Sequence, residues 1–528
     1  MPCNTIKKQI IACDFCKVTR LNFNFFTTFD VCNVKTYKFF IMEKLITCFI
    51  PVKESEDFAT TVNQLKNADS VKKIFLMSAV KPNAIPENCE WIECKNFHST
   101  SAVQSIGKNA DTPYTLIFTK PSQFELGAYA LERFINLAAD TNAGLVYSDY
   151  YENRNGELSA NPVIDYQSGG LRDNFNFGTL LFYKTEALKA GIAKFNQEFQ
   201  FAGFYDLRLK VSQTHDLFRI PEFLYTEHVL QQSGDSHFAY VDPKNREVQI
   251  EMEKACTQHL KEIGGYLEPE FDEVKFTEGE FEYEASVVIP VRNRARTIED
   301  AIKSIIMQKT KFKFNLIIVD NHSTDGTTEI IAKYAAENDL IVHIIPERND
   351  LGIGGCWTAA VMDLRCGRFA VQLDSDDLYI DENTLQKIVD AFYEQQCAMV
   401  VGTYKIVNID LETIPPGIID HREWTPENGR NNALRINGLG APRAFYTPTL
   451  RKIKVPNVSY GEDYAVGLAI SRNYQIGRIY DVLYLCRRWD GNSDASLDIN
   501  KENAYNTYKD RIRTIELAAR IAKNKTKK

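Results

Sequence analysis

The C-terminal half of the chain shows the clearest alternation of apolar and polar positions. Residues 286–291, SVVIPV, form a largely apolar run that is typical of a buried strand. Apolar side chains then recur through 298–306 at the i, i+3, i+4 and i+7 spacing of an amphipathic helix. Three more strand-like runs, 315–320, 340–347 and 368–374, are separated by helix-like segments. Strands that alternate with helices in this way predict a parallel, doubly wound α/β sheet.

The N-terminal half repeats the same order of segments. CFIPV and the helix-like run after it parallel VVIPV, which aligns Pro51 with Pro290. Later matches keep the register, because the offset grows only from 239 residues between Pro51 and Pro290 to 259 between Tyr225 and Tyr484. Such a drift is typical of a duplicated domain with small insertions. We therefore predict two tandem α/β domains: an N-terminal extension (1–42), the first domain (43–260), a linker (261–282), the second domain (283–510) and a basic tail (511–528).

The two ends of the chain lack this organisation. Residues 1–42 show neither helical nor strand periodicity, and Met42 stands directly before a strand-like run, so we expect this extension to be untranslated or disordered. An ordered N-terminal arm is the alternative. Its Cys13 and Cys16 form a CxxC pair, but a zinc site usually needs a second pair at matching spacing, which the sequence lacks. The tail is rich in Lys and Arg and predicts a solvated helix, the alternative being contact with an anionic membrane surface.

Composition and charge narrow the class of protein. The 528 residues carry 62 Lys and Arg against 70 Asp and Glu, a formal net charge of −8, which disfavours a dedicated nucleic-acid binder. The 12 cysteines are diluted over the chain, which predicts no disulfide framework and favours a reducing compartment. The sequence has neither an apolar run long enough to span a membrane nor a signal-peptide pattern. We expect a cytoplasmic protein, with peripheral contact at the inner face of the membrane as the alternative.

Polar residues collect just past the ends of the predicted strands of the second domain. In chain order they are Arg292, Asn293, Asp320, Asn349 and the DSDD sequence at 374–377. The carboxyl ends of parallel strands share one edge, where open α/β sheets bind ligands. The carboxylates of DSDD suit Mg²⁺ or Mn²⁺ held together with substrate phosphates, although the same aspartates could cap the next helix. The first domain has Met77, Ser78 and FTK (118–120) instead, so only the second domain is expected to bind a metal there.

The motifs SVVIPVRN, VDNHSTDGT, QLDSDD and YGED, in this order and spacing, resemble family 2 glycosyltransferases of the GT-A fold. The tandem layout is similar to the two-domain chondroitin and hyaluronan polymerases, except that the first domain lacks the metal motif. The resemblance implies a divalent cation, Mn²⁺ or Mg²⁺, held by Asp376, and a nucleotide-sugar donor whose base lies at Asp320 and whose ribose lies at Asp374. The donor-binding residues implied in this way are Pro290, Arg292, Asn293, Asp320, Asn349, Asp374, Arg487 and Arg488.

A second group of residues is predicted to contact the acceptor. An inverting transfer needs a carboxylate that accepts the proton of the acceptor hydroxyl, and Asp463 matches the Asp of the family's ED pair. Complementing the helix dipole is the alternative role for Asp463 and its neighbour Glu462. Gly438 and Gly440 allow close approach of a ligand, although a simple turn also explains them. Trp489 offers a flat face for a sugar, the alternative being a surface salt-bridge cluster with the neighbouring arginines. Gly438, Gly440, Glu462 and Trp489 are therefore the predicted acceptor residues.

Together these features predict an inverting, metal-dependent glycosyltransferase with one active GT-A-like domain and one degenerate copy packed against it. The enzyme would move a hexose or N-acetylhexosamine from a nucleotide sugar to a hydroxyl of a glycan or lipid-linked saccharide, in cell-surface polysaccharide synthesis. In the first domain, Asp206 is expected opposite Asp463 as a silent helix-start residue. Three alternatives stay open: a two-sugar polymerase with both domains active, a non-catalytic sugar-binding scaffold, and a nucleotidyltransferase, which would need a glycine-rich loop where this chain has PVRNRART.

Overall fold

The computed structural model describes residues 44–53, 58–229, 245–422, 424–492 and 497–526. The predicted extension 1–42, with its cysteine pair, lies outside these residues. Within them, no helix is long and apolar enough to cross a membrane. The described chain is built on two mixed β-sheets, one from each half of the sequence.

The first sheet is formed by strands between residues 46 and 229. The elements of this half are β1 (Ile46–Pro51), α1 (Ala59–Lys66), β2 (Val71–Ser78), β3 (Cys89–Glu93), α2 (Thr100–Asn109), β4 (Tyr114–Phe118), β5 (Gln123–Leu126), α3 (Ala130–Thr141), β6 (Leu145–Arg154), β7 (Glu157–Asn161), β8 (Leu180–Lys184), α4 (Thr185–Ile192), α5 (Gly203–Ser212), β9 (Leu217–Val229) and α6 (Arg246–Glu262). The strand order is β3-β2-β1-β4-β8-β6-β9-β5, and β7 pairs with β6. Alternate residues of β1 enter two separate core clusters, Cys48 and Ile50 on one face and Phe49 on the other. The strand is mostly apolar because both of its faces are buried.

The second sheet is formed by strands between residues 285 and 487. The elements of this half are β10 (Ala285–Val291), α7 (Ile298–Ile306), β11 (Phe314–Asp320), α8 (Thr327–Glu337), β12 (Ile341–Ile344), α9 (Ile353–Met362), β13 (Phe369–Gln372), β14 (Leu378–Tyr379), α10 (Thr384–Gln395), β15 (Met399–Val407), β16 (Thr413–Ile419), α11 (Gly429–Asn432), β17 (Arg443–Tyr446), α12 (Thr447–Ile453), α13 (Glu462–Ser471), β18 (Ile476–Arg487) and α14 (Ile499–Thr526). The strand order is β12-β11-β10-β13-β17-β15-β18-β14, and β16 pairs with β15.

The two sheets have the same topology, strand for strand. In the first sheet β1 pairs in parallel with β2 and β4, and in the second β10 pairs in parallel with β11 and β13. The next strand outward, β8 or β17, is antiparallel in both. The structure thus confirms the predicted fold of two tandem α/β units. Its sheets are mixed, since antiparallel strands extend each parallel half.

The register of the two copies corrects the predicted position of Asp206. α5 and α13 end at equivalent serines, and Tyr205 and Tyr464 each donate a hydroxyl hydrogen bond to a carbonyl of a preceding loop. Tyr205 therefore matches Tyr464, and Phe204 occupies the position of Asp463. The expectation that Asp206 lies opposite Asp463 was wrong because the buried tyrosine, not the shared aspartate, fixes how the helix sits. Asp206 faces the interior, where its side chain is 3% exposed.

One of the apolar clusters contains side chains from both halves. A single cluster of buried side chains contains Tyr205 and Leu260 from the first half and Ile289 and Tyr464 from the second. Through this cluster the first domain packs against the second, as expected from the sequence. Polar contacts cross the same boundary, as in the ion pair of the fully buried Arg435 side chain with Asp173 at 2.7 Å.

The C-terminal tail is part of this core. The predicted boundary at 510 falls inside the continuous helix α14, and the side chains of Arg513 and Arg520 are completely buried. Arg513 pairs with Asp510 at 2.8 Å and Arg520 with Glu516 at 2.7 Å. The prediction of a solvated tail was wrong for this face of the helix, because acidic residues one turn away neutralise the basic side chains. Arg513 and Arg520 are consequently inaccessible to a membrane surface.

Candidate functional site

A cavity of about 390 Å³ opens at the carboxyl ends of β10 and β13. It brings together predicted residues that are distant in sequence. The predicted residues in its wall are Pro290, Asp374, Asp376, Gly438, Gly440, Glu462, Asp463 and Arg488. The strand-end position follows from the parallel half of the sheet, whose strands all finish at this edge.

Asp374 is held from two sides. Both of its carboxylate oxygens accept hydrogen bonds from the Gln372 amide, at 2.9 Å each, and its backbone N–H donates to the Tyr484 hydroxyl at 3.0 Å. Burial raises the pKa of Asp374, although the nearby Arg443 guanidinium opposes this shift. The side chain is thus fixed in place at the end of β13, beside the cavity.

Asp376 is the carboxylate of DSDD that the sequence predicts to hold a cation. Its Oδ2 accepts a hydrogen bond from the Asn492 amide at 3.1 Å and lies 3.7 Å from Nε of Arg294. The buried Asp377 instead accepts the backbone N–H of Arg487 at 2.7 Å. Among the described residues, no group of three or more His, Cys, Asp or Glu side chains could hold a metal ion. The donor set therefore fits an ion held by one or two carboxylates plus substrate phosphates, and does not fit an all-protein cage.

Asp463 lies in the first turn of α13 and forms an ion pair with Arg443 at 2.8 Å. Burial alone would raise the pKa of Asp463, but the positive charges of Arg443 and Lys509 outweigh it and hold the pKa below its usual range. The carboxylate is therefore ionised at neutral pH. A proton acceptor at this position has the charge state that base catalysis requires.

The pKa of the neighbouring Glu462 is shifted in the opposite direction. Burial raises its pKa to about 8, and the adjacent Asp463 charge adds to the shift. Its Oε2 is buried and has no hydrogen-bond partner among the described residues. Glu462 is consequently protonated at neutral pH, so the pair offers one proton acceptor and one potential proton donor to the same cavity.

Close packing surrounds two glycines, Gly440 in the cavity wall and Gly354 in the neighbouring helix α9. Gly440 has a φ of +92°, and a Cβ at this position would lie 2.6 Å from the His421 ring. A Cβ on Gly354, in the first turn of α9, would lie only 1.8 Å from the Pro456 carbonyl oxygen. Both positions therefore require glycine, the first for its left-handed conformation and the second for the tight contact between α9 and the loop that leads to α13.

Six predicted residues lie outside the cavity wall: Arg292, Asn293, Asp320, Asn349, Arg487 and Trp489. Asp320 is fully buried and accepts hydrogen bonds from the Ser323 N–H at 3.0 Å and the Thr328 hydroxyl at 2.5 Å. The Arg487 side chain donates a hydrogen bond to the Asp376 backbone carbonyl and pairs with Asp300 at 2.9 Å. The Trp489 ring is covered by the Arg296 guanidinium, 5.1 Å from the ring centroid. The donor and acceptor roles of these six residues stay predictions.

Three charged residues in the cavity wall, Arg294, Arg443 and Lys509, were not predicted. Arg443 donates to the Gly440 carbonyl at 2.6 Å as well as pairing with Asp463, so it joins the glycine wall to α13. Its place in the strand β17, beside the glycine loop, was a signal that sequence reasoning could have used. Lys509 comes from α14, and nothing in its local sequence distinguishes it from the other lysines of that helix.

Comparisons with known proteins find a family match within the second half of the chain. Residues 286–452 match the family model described as Glycosyl transferase family 2. The chain is 25% identical over 238 residues to the poly(ribitol-phosphate) beta-glucosyltransferase of Bacillus spizizenii, covering 44% of this chain and 36% of that protein. It is 25% identical over 224 residues to the UDP-Glc:alpha-D-GlcNAc-diphosphoundecaprenol beta-1,3-glucosyltransferase WfgD of Escherichia coli, covering 42% and 81%.

Similarity extends to a third relative and to its solved structure. The chain is 31% identical over 168 residues to the poly(ribitol-phosphate) beta-N-acetylglucosaminyltransferase TarS of Staphylococcus aureus, covering 32% of this chain and 28% of TarS. A crystal structure of a TarS fragment with UDP-GlcNAc matches with a TM-score of 0.35 and 22% identity, covering 45% of this chain and 72% of the fragment. The chain thus spans about a third of the length of two of these three relatives.

Proposed function

We propose, from the match of residues 286–452 to the model of glycosyl transferase family 2, that the second α/β unit transfers a sugar from a nucleotide-sugar donor to an acceptor hydroxyl with inversion at the anomeric carbon. The observation that carries the proposal is the placement of Asp376 and Asp463 in the wall of one cavity, with Arg443 between the strand-end loop and α13. With two separate carboxylates, one can hold the cation that stabilises the leaving group while the other accepts the proton of the attacking hydroxyl.

The donor is assigned to the side of the DSDD loop. Asp376 and Asp374 would hold a divalent cation, Mn²⁺ or Mg²⁺, which when bound supplies positive charge against the diphosphate leaving group. Arg294 and Arg488 line the same side of the cavity and can bind phosphate oxygens. The relatives are named for transfer of glucose or N-acetylglucosamine, and one of them for UDP-Glc, which supports a UDP-linked hexose or N-acetylhexosamine as the donor.

The acceptor is assigned to the side of α13. Asp463, ionised at neutral pH, accepts the proton of the acceptor hydroxyl as its oxygen attacks the anomeric carbon. Glu462, which keeps its proton, donates a hydrogen bond to an acceptor oxygen. The relatives act on poly(ribitol-phosphate) or on a lipid-diphosphate-linked sugar, which supports a glycan or lipid-linked saccharide of cell-surface polysaccharide synthesis as the acceptor.

The first α/β unit is proposed to be catalytically silent. The register of β1 with β4 and of β10 with β13 puts Thr119 at the position of Asp374 and Pro121 at that of Asp376. Phe204 takes the place of the base. The first unit therefore lacks both the carboxylates of the DSDD loop and the carboxylate of the base, which disfavours a two-sugar polymerase. The intact carboxylates of the second unit disfavour a non-catalytic scaffold.

A thermal-shift screen tests the donor assignment. UDP-, GDP- and dTDP-sugars are added to the full chain with and without Mn²⁺, since a ligand that binds the folded state raises its apparent stability. We expect one nucleotide class to raise the melting temperature only when Mn²⁺ is present, and the Asp376→Asn variant to lose this shift. Stabilisation by no sugar nucleotide, or an equal shift in Asp376→Asn, contradicts the assignment.

A further inference from the structure

Gln372, the last residue of β13, connects the DSDD loop to the neighbouring strand β17. Its side-chain nitrogen donates to both carboxylate oxygens of Asp374 at 2.9 Å, and its side-chain oxygen accepts the backbone N–H of Arg443 at 3.1 Å. Gln372 is only 2% exposed, and hydrogen bonds that are shielded from water hold their partners more firmly. The first residue of β17 is therefore fixed relative to the carboxylate on the donor side.

The side chain of Arg443 continues this connection toward α13. Its Nη1 donates a hydrogen bond to the Gly440 carbonyl oxygen at 2.6 Å and lies 2.8 Å from Oδ2 of Asp463. This nitrogen carries two N–H groups, one for each acceptor. An unbroken chain of direct contacts thus runs from Asp374 through Gln372 and Arg443 to Asp463.

The relative position of Asp374 and Asp463 matters because they lie in different elements. Asp374 follows β13, whereas Asp463 lies in the first turn of α13. A base must reach the acceptor hydroxyl while that hydroxyl attacks a donor held on the other side of the cavity. A misplacement of about 1 Å can cost roughly 100-fold in rate, so the contacts that join the two elements bear directly on turnover.

We propose that Arg443 is a positioning residue for the reaction, which holds the Asp463 carboxylate at a fixed place relative to Asp374. Gln372 fixes its backbone, and the Gly440 carbonyl fixes its guanidinium. The inference rests on the proposed function of Asp463 as the base. An ion pair with a purely structural role would contribute to stability and leave the turnover of the folded enzyme unchanged.

The test compares Arg443→Met, which removes the N–H donors and the charge, with Arg443→Lys, which keeps both kinds of interaction. Arg368→Met is the matched control, since Arg368 precedes β13 at its opposite end and pairs with Glu284 at 3.3 Å. The side chains of that pair are 18% and 22% exposed, against 17% and 26% for Arg443 and Asp463. Thermal unfolding of the full chain reports whether each variant folds, and the shorter Arg443→Gln replaces Arg443→Met if the latter does not.

Turnover is measured as UDP release from UDP-glucose and UDP-N-acetylglucosamine with Mn²⁺ and poly(ribitol phosphate) as the acceptor, across a range of pH. Binding of the same UDP-sugars is measured by calorimetry. In folded Arg443→Met we expect kcat to fall roughly 100-fold even on the plateau at high pH, where Asp463 is ionised, with UDP-sugar affinity unchanged. Arg443→Lys should recover most of this loss because its ammonium can donate to both acceptors, and Arg368→Met should change neither quantity.

Three results overturn the inference. A loss of kcat that disappears as the pH rises would show that Arg443 acts only by keeping Asp463 ionised. A parallel loss of UDP-sugar affinity would show that it acts on the donor. A plateau that stays at the wild-type level in Arg443→Met, or that Arg443→Lys does not raise, would show that its N–H donors do not position the base.

Urea unfolding of Arg443→Met, Asp463→Asn and the double variant tests the contact without reference to turnover. We expect the double variant to lose less stability than the sum of the two single losses, because each substitution removes the same ion pair. Additive losses overturn the inference whatever the transfer assay shows. If the losses are not additive but the wild-type chain releases no UDP, the contact stands and the proposed function fails instead.

Discussion

Replacing Asp510 by Asn should destabilise the chain far more than breaking an ordinary ion pair. The Asp510 carboxylate is 0% exposed and is shared by two guanidinium groups, Arg513 at 2.8 Å and Arg172 at 3.3 Å, whose side chains are 0% and 4% exposed. The substitution leaves two like charges buried side by side without their counter-charge. Removing one partner of a buried pair costs about 3–5 kcal/mol, and we expect the lower end because the Asn oxygen still accepts one hydrogen bond.

Urea unfolding followed by tryptophan fluorescence measures this loss. Asp350→Asn is the control, since Asp350 pairs with Arg348 at a similarly short 2.6 Å but with 59% of its side chain exposed. Screening by water makes the contribution of such an exposed pair to stability close to zero, so the control should keep its unfolding midpoint. A loss below about 1 kcal/mol in Asp510→Asn, or one no larger than in the control, would refute the view that this buried charge cluster fastens α14 to both units.

Three further predictions concern single carboxyl groups. Asp463→Asn should lower turnover by roughly 100- to 10,000-fold with donor affinity unchanged, as checked by transfer kinetics and calorimetry; a few-fold effect places the base elsewhere. Asp206→Asn should leave the transfer rate nearly unchanged in the same kinetic assay, because Phe204 occupies the position of the base, and loss of transfer in a folded variant would show that the first unit is active. Burial raises the pKa of Glu462 from 4.5 to about 8, so its contribution to stability is complete below pH 4.5 and is lost as the pH rises toward 8. Glu462→Gln should flatten this decline in urea unfolding measured across that range, and an unchanged decline contradicts the shift.

Much of the fold could be predicted because each unit depends on local periodicity. The runs at β10 and β11 are mostly apolar since both faces of these strands are buried, and the intervening helix shows a clear apolar stripe. Repetition of this pattern identified the duplication, and the structure confirms it strand for strand. The resemblance to family 2 glycosyltransferases is likewise confirmed by the family match over 286–452.

The features that could not be predicted from the sequence depend on contacts between distant segments. The register of α5 against α13 is set by a buried tyrosine hydroxyl that reaches a loop about thirty residues upstream, whereas the visible signal was a shared aspartate. Burial of Arg513 and Arg520 depends on acidic partners that a charge count treats as surface residues. Lys509 enters the cavity only because α14 folds back across both units, which no local pattern predicts.

The most direct test of the central claim is the rate of nucleotide release from a panel of UDP-, GDP- and dTDP-sugars, measured on the full chain with Mn²⁺ and after chelation. We predict that sugars of one nucleotide class are turned over, that chelation stops the release, and that Asp376→Asn abolishes it while Asp206→Asn does not. Release that continues at the wild-type rate in Asp376→Asn, or after the metal is removed, would contradict the account of a metal-dependent sugar transfer in the second unit.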